Sequence, residues 1–262
     1  MANTTDLIGD SVRSPEPTKL FCISLKRSPS RRESMQKFAK IPGIEFAFFD
    51  AVDAKTEELI PFKEHFYCSR TANLLRGRSL EEGEIACFAS HFLLWEKCIK
   101  LNEPIVVCED DIELAAHEDL LVRRIRKIRQ GNHEYVRLLA TKNRKTYAFA
   151  PDLKIAFDSL AGTQAYYITP AAARKFITHA KTWFMPVDDY MDLYFIHKVL
   201  NIVADSFPVR GTDFPSDVAR KHGKKRRLSG TKITSELFRV YLFLRKIFWF
   251  AKNPALAKIA IS

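Results

Sequence analysis

The sequence contains no uncharged apolar run of the roughly 18 residues that a membrane-spanning helix requires. Its first residues, MANTTDLIGDSVRSPEPTK, carry acids at Asp6 and Asp10 and two prolines, and no greasy segment follows a charged one. That is not the layout of a signal peptide, and residues 1–18 read as a loose leader. The chain also lacks C-x-x-C spacing. Its five cysteines, Cys22, Cys68, Cys87, Cys98 and Cys108, form an odd set that lies mostly within apolar runs. There a free thiol behaves as a small hydrophobe, which favours a reducing cytosol over a disulfide framework. No internal repeat or long low-complexity block is present. With 262 residues, 47% hydrophobic and 28% charged, the chain is expected to form a sizeable globular domain, and disorder is excluded.

The net charge of +11 is unevenly placed. Residues 220–262 hold 12 Lys and Arg against the single acid Glu236, which leaves 30 residues of each sign in residues 1–219. A neutral body with a cationic tail points to docking on an anionic surface, and argues against a body that grips nucleic acid along its face.

KLFCISLKR reads as a strand and the following SPSRRESMQKFAK as a helix, with Met35, Phe38 and Ala39 at helical spacing. EFAFFDAVD supplies a second strand that ends in Asp50 and Asp53, while residues 57–80 read as irregular and receive no chemistry. GEIACFASHFLLWEKCIKL is a packed helix, and PIVVCEDDIEL a buried strand running into Glu109, Asp110 and Asp111. Strands at EYVRLLA, TQAYYIT and NIVADSF, and helices at PAAARKFITHAK and DDYMDLYFIHKVL, complete an α/β pattern. In such a fold ligands collect at the carboxyl ends of the strands. Three carboxylates ending a buried strand are costly unless paired, and a hard divalent cation removes that cost; the alternative is a strand that ends in solvated acids.

GEIACFASHFLLWEKCI followed by EPIVVCEDDIEL closely resembles the signature of glycosyltransferase family 25, the bacterial lipooligosaccharide galactosyltransferases and their collagen-modifying relatives. ISLKRSPSRR, EFAFFDAVD, and GTQAYYITPAAARKF with MPVDDY resemble further parts of that family in order and spacing, so the likeness spans residues 19–217. It implies a GT-A-like nucleotide-sugar-binding fold with a mixed central sheet, a UDP-galactose or UDP-glucose donor, inversion at the anomeric carbon, and a lipid-linked lipooligosaccharide acceptor. By position, the family's acidic metal motif falls on Glu109, Asp110 and Asp111. Asp111 is the first choice to ligate Mn²⁺ or Mg²⁺, with Asp110 beside it and turned to the ribose. Cys108 stands where relatives often carry an apolar or small residue.

Other candidates have open alternatives. His91 faces the donor phosphates or is a helix-surface or core residue. At the first strand's exit Ser24, Leu25, Arg27 and Arg32 are assigned to the donor, because a guanidinium suits phosphate and backbone N–H groups suit a uracil edge. Asp50, with Ala51 after it, either accepts from the nucleoside or solvates a turn. An inverting transfer requires a base, for which Asp188 is preferred and Asp189 is second; the bland alternative is a helix N-cap and macrodipole partner. Thr163 and Gln164, after Gly162, are expected in the same pocket, and Arg137 either pairs with a carboxylate or faces solvent.

The tail, KHGKKRRLSGTKITSELFRVYLFLRKIFWFAKN, joins a polybasic stretch to an aromatic, cationic helix. It is expected to associate with an anionic membrane, the alternative being packing on the body or on a second subunit as a homodimer. Rival classes are a nucleic-acid binder acting through KHGKKRR, a metal-dependent phosphotransferase or nucleotidyltransferase built on the acid cluster, and an inactive scaffold.

Overall fold

Side-chain alternation along the buried strands sends successive residues to two different cores. A computed structural model describes residues 17–140, 144–212 and 229–261. The leader up to residue 16 and the polybasic run 220–228 lie outside the described residues. The chain opens with β1 (Thr18–Ser24), α1 (Pro29–Met35) with a 3₁₀ turn behind it, and β2 (Ile44–Asp50). Residues 57–80, read above as irregular, contain α2 (Ile60–His65) and α3 (Ser69–Arg76). Then come α4 (Glu82–Leu101), β3 (Ile105–Glu109), β4 (Ile112–Leu114), α5 (Glu118–Gln130) and β5 (Tyr135–Arg137). A hairpin of β6 (Thr146–Ala150) and β7 (Leu153–Ala156), which the sequence reading lacked, leads to β8 (Ala165–Ile168) and α6 (Pro170–His179). The single helix expected over residues 188–200 is broken into α7 (Val187–Met191) and α8 (Tyr194–His197), followed by β9 (Ile202–Ala204) and β10 (Val209–Gly211). The tail forms α9 (Ser229–Lys252) and α10 (Pro254–Ile261).

The main sheet is mixed, in the order β2-β1-β3-β8-β5-β9-β7-β6. β2, β1 and β3 run parallel, and β8 enters antiparallel to β3. β4 and β10 form a separate antiparallel pair. On one face Phe21, Ile23, Ile105, Val107 and Tyr166 pack with α4 and α6; on the other Leu20, Cys22, Val106 and Cys108 pack with Met35, Phe38 and the inner side of α5. α4 begins in a capping box between Glu81 and Glu84 and ends at Asn102, whose φ of 53° closes the helix in the left-handed region. Its side chains Ile85, Phe88, Phe92 and Trp95 are buried, and each such burial contributes about 1.5–3 kcal/mol. Trp183 stacks on Phe88 at 4.3 Å and on Phe66 at 4.8 Å, tying α2 and α4 to the segment before α7.

The tail helix packs on the body along one side. Thr234 donates to the Leu74 carbonyl at 2.6 Å, Phe238 meets Phe184, Trp249 meets Tyr194, and Lys246 donates to the Phe157 carbonyl at 2.5 Å. Its other side exposes Ile233, Leu237, Val240, Leu244 and Phe248, from 53% at Val240 to 68% at Ile233. Among the described residues no helix is long and apolar enough to cross a membrane.

Candidate active site

The parallel register sets the ends of three strands side by side, with Ser24 opposite Asp50 and Ile23 opposite Glu109. Asp110, the next residue, is buried. Its Oδ2 accepts from the Ser24 hydroxyl at 2.6 Å and its Oδ1 from Arg31 Nη1 at 2.7 Å. Arg31, on α1, is a site residue that the sequence reading passed over in favour of its neighbours. Those neighbours are engaged at the rim: Arg27 pairs with Asp53 at 2.6 Å, and Arg32 reaches Asp50 at 2.5 Å and the Ser24 carbonyl at 2.9 Å. Hydrogen bonding from Arg32 holds the Asp50 carboxyl below its ordinary range. Backbone bonds complete the turn: Ala51 N–H donates to Ser24 O at 3.0 Å, and Ser28 N–H to Leu25 O at 3.0 Å.

A three-residue stretch gathers the remaining acids. Gly162 N–H donates to Asp188 Oδ2 at 3.3 Å, the Thr163 hydroxyl donates to Glu109 Oε1, and Gln164 Nε2 donates to Asp111 Oδ2 at 3.2 Å. The stretch is itself bracketed by a buried ion pair. Arg137 Nη2 meets Asp192 at 2.8 Å, while Arg137 Nη1 donates to the carbonyls of Ala161 at 3.0 Å and Gly162 at 2.5 Å. Arg137 thus has the carboxylate partner that its burial demands, and that partner is Asp192. Ala161 and Gly162 both sit at positive φ, 50° and 70°, a strain that the bracket over-determines.

Asp111 is the acid left wanting. Its Oδ1 is buried with no hydrogen-bond partner among the described residues. Burial first, then the charges of Glu109 and Asp110, push its carboxyl up to about 6. An orphaned carboxylate oxygen among acids fits a hard divalent cation, whose charge would reverse that shift. Glu109 behaves oppositely: burial raises its carboxyl, but His91 and Thr163 outweigh burial and the net shift is downward. His91 lies on the core side of Glu109, fully buried, with Nε2 3.4 Å from Glu109 Oε1 and Nδ1 2.9 Å from the Tyr166 hydroxyl. Its burial removes the helix-surface reading and places it in the core beneath the acid cluster.

Asp188 and Asp189 stand in the first turn of α7, but the N-cap is Pro186 and no side chain caps that helix. Neither therefore caps the helix, although both lie in its first turn, where a carboxylate also complements the macrodipole. Asp189 is ion-paired with Arg76 of α3, another residue missed because it falls in the stretch assigned no chemistry. Burial raises the Asp189 carboxyl despite Arg76. The second oxygen of Asp188 has no partner among the described residues. Burial first, then the carboxylates of Glu109, Asp188 and Asp111, push the nearby Cys87 thiol well up.

Comparison with known proteins identifies the family to which this fold belongs. A family model described as Glycosyltransferase family 25 (LPS biosynthesis protein) matches residues 17–191. The lipooligosaccharide biosynthesis protein lic2B of Haemophilus influenzae is 41% identical over 100 residues, covering 38% of this chain and 35% of that protein. A glycosyltransferase 25 family member of Drosophila melanogaster is 30% identical over 215 residues, 76% of this chain and 35% of its own length. A mouse protein described as an inactive family 25 member 3 is 28% identical over 200 residues, 68% of this chain and 32% of its own. The chain thus spans about a third of the length of these curated relatives. The mixed sheet, with acids at the carboxyl ends of β2 and β3, is GT-A-like. On the match over residues 17–191, this chain belongs to glycosyltransferase family 25.

Proposed function

We infer that this chain is an active glycosyltransferase that moves a hexose, galactose from UDP-galactose by preference, onto a lipooligosaccharide core acceptor with inversion. The observation that carries the reading is the Gly162–Gln164 stretch, whose three consecutive residues each hold one of Asp188, Glu109 and Asp111, while Asp111 Oδ1 has no partner among the described residues. Asp111 would hold Mn²⁺ or Mg²⁺, with Asp110 behind it fixed by Arg31 and Ser24. The cation would neutralise the diphosphate and the charge that develops on it as it leaves. Ser24, Leu25, Arg27, Arg32, Asp50 and Ala51 form the rim on which the nucleoside end would lie.

In the transfer an acceptor hydroxyl oxygen bonds to the anomeric carbon, the bond from that carbon to the diphosphate oxygen breaks, and UDP departs with the bonding pair. The hydroxyl proton passes to Asp188. The Gly162 N–H orients that carboxylate and leaves its second oxygen open, whereas Asp189 is held by Arg76. The relatives include a protein described as inactive, so the family alone does not carry turnover, and the reading rests on this residue set.

The tail supports a place at the inner face of the cytoplasmic membrane. The outer stripe of α9 is apolar and flanked by exposed Lys232, Arg239, Arg245 and Lys252, each worth on the order of 1 kcal/mol beside an anionic leaflet. The test of function is a panel of UDP-sugars assayed for UDP release with a lactoside or glucoside acceptor and Mn²⁺. UDP-galactose is expected to be turned over fastest, and UDP-glucose in its place would move only the donor. Release of pyrophosphate, or no turnover of any donor, would overturn the reading.

A further inference from the structure

Beneath the acid cluster lies a second set of ligand atoms of different chemistry. Cys87 and His91 stand four residues apart on α4, on one face of the helix, and Glu109 faces them from the end of β3. The Cys87 Sγ, a His91 ring nitrogen and a Glu109 carboxylate oxygen lie within 4.8 Å of one another. His91 is fully buried, and its Nε2, aimed at Glu109 Oε1 from 3.4 Å, makes no hydrogen bond among the described residues. A buried imidazole nitrogen that stands 3.4 Å from a carboxylate without a hydrogen bond points to a missing ligand between them. A thiol, an imidazole and a carboxylate are the donor types of zinc sites, whereas Mn²⁺ and Mg²⁺ prefer oxygen alone.

We propose that Cys87, His91 and Glu109 form a binding site for a borderline-soft divalent cation such as Zn²⁺, separate from the hard-cation position at Asp111. Zinc bonds of about 2.0–2.3 Å in tetrahedral geometry set ligand atoms about 3.5 Å apart, so a contraction of about 1 Å closes the set. The second shell already stands: the Tyr166 hydroxyl lies 2.9 Å from His91 Nδ1 and itself receives Trp95 Nε1–H at 3.1 Å. With the ring proton on Nδ1 and donated to Tyr166, the Nε2 lone pair faces the ion, the arrangement usual for a ligating histidine. Cys87 and Glu109 are only partly buried, which gives an ion a way in and leaves the fourth position for water. Binding forms the metal–sulfur bond and releases the thiol proton to solvent.

The experiment adds one equivalent of Co²⁺, as the spectroscopic stand-in for Zn²⁺, to the full chain and reads the thiolate-to-cobalt charge-transfer band. The band is expected in the wild-type chain and in Cys68→Ser, and is expected to vanish in Cys87→Ser. Tyr166→Phe is expected to weaken Zn²⁺ binding roughly 10–100-fold in chelator competition. Asp111→Asn is expected to keep the band, so the outcome is independent of the transferase reading. Should Cys87→Ser fail to fold, protection of Cys87 from alkylation by Zn²⁺ in the wild-type chain decides the matter. Absence of the band in the folded wild-type chain, its persistence in Cys87→Ser, its loss in Cys68→Ser, or no protection of Cys87 would overturn the site.

Discussion

Asp192→Asn should be among the most damaging single-atom-scale changes in this fold. The carboxylate is buried, bonded to the equally buried Arg137 at 2.8 Å, and also accepts from Asn201 Nδ2 at 3.2 Å and from the Ala161 N–H at 3.3 Å. An amide keeps the volume and some hydrogen bonds but leaves the Arg137 guanidinium as a buried charge without a counter-ion. Removing one partner of such a pair costs about 3–5 kcal/mol. For a chain of this size that corresponds to a drop in Tm of roughly 6–20 °C. The exposed pair Lys154–Asp205, at 2.9 Å, is the internal control: Asp205→Asn should cost under about 1 kcal/mol. Calorimetry of both variants measures the contrast. A double variant, Arg137→Met with Asp192→Leu, should recover much of the loss, because it removes both charges together. If Asp192→Asn unfolds within about 1 kcal/mol of wild type, the bracket on Ala161 and Gly162 is not what holds the acid-gathering stretch in place.

Three further outcomes follow from individual residues. Burial, helped by His179, holds His197 down to about 3, so the native state stays neutral while an unfolded imidazole takes a proton below about pH 6.5. Stability should therefore fall as pH drops from 6.5 towards 4, by up to about 1.4 kcal/mol per pH unit, and His197→Phe should flatten that slope in urea titrations. Asp188→Asn should lower kcat by roughly 10² to 10⁴ with donor Kd nearly unchanged; wild-type turnover would remove it as the base, and a loss confined to Asp189→Asn would move the role one residue along. Leu237→Asp with Leu244→Asp, on the exposed stripe of α9, should abolish retention on anionic vesicles in flotation while leaving the fold intact. Unchanged retention, or a loss of dimer in sedimentation instead, would assign that stripe to a second copy of the chain.

Much of the fold was legible because alternation and helical spacing are local signals. The β1 and β3 residues divide cleanly between two cores, and α4 spans the apolar run from which it was read. The β6–β7 hairpin was not legible, since β6 is only partly buried at the sheet edge and lacks a strong apolar alternation. The expected helix over residues 188–200 breaks where Asp192 turns inward to Arg137, a tertiary pull that no local pattern carries. The site divides in the same way. The acids could be found because three carboxylates end a strand, but Arg31 and Arg76 act across 79 and 113 residues of sequence, and their partners appear only once the chain is folded. His91 was visible as a residue, yet its position under Glu109 depends on the approach of α4 to β8 through Tyr166.

The central claim is that the orphaned oxygen of Asp111 marks a cation and donor site, and a titration of Mn²⁺ against UDP-galactose turnover tests it most directly. Wild-type activity should rise with Mn²⁺ and vanish in chelator, and Asp111→Asn should lose most of it while its thermal unfolding stays cooperative. Full turnover by Asp111→Asn in the presence of chelator would contradict the account.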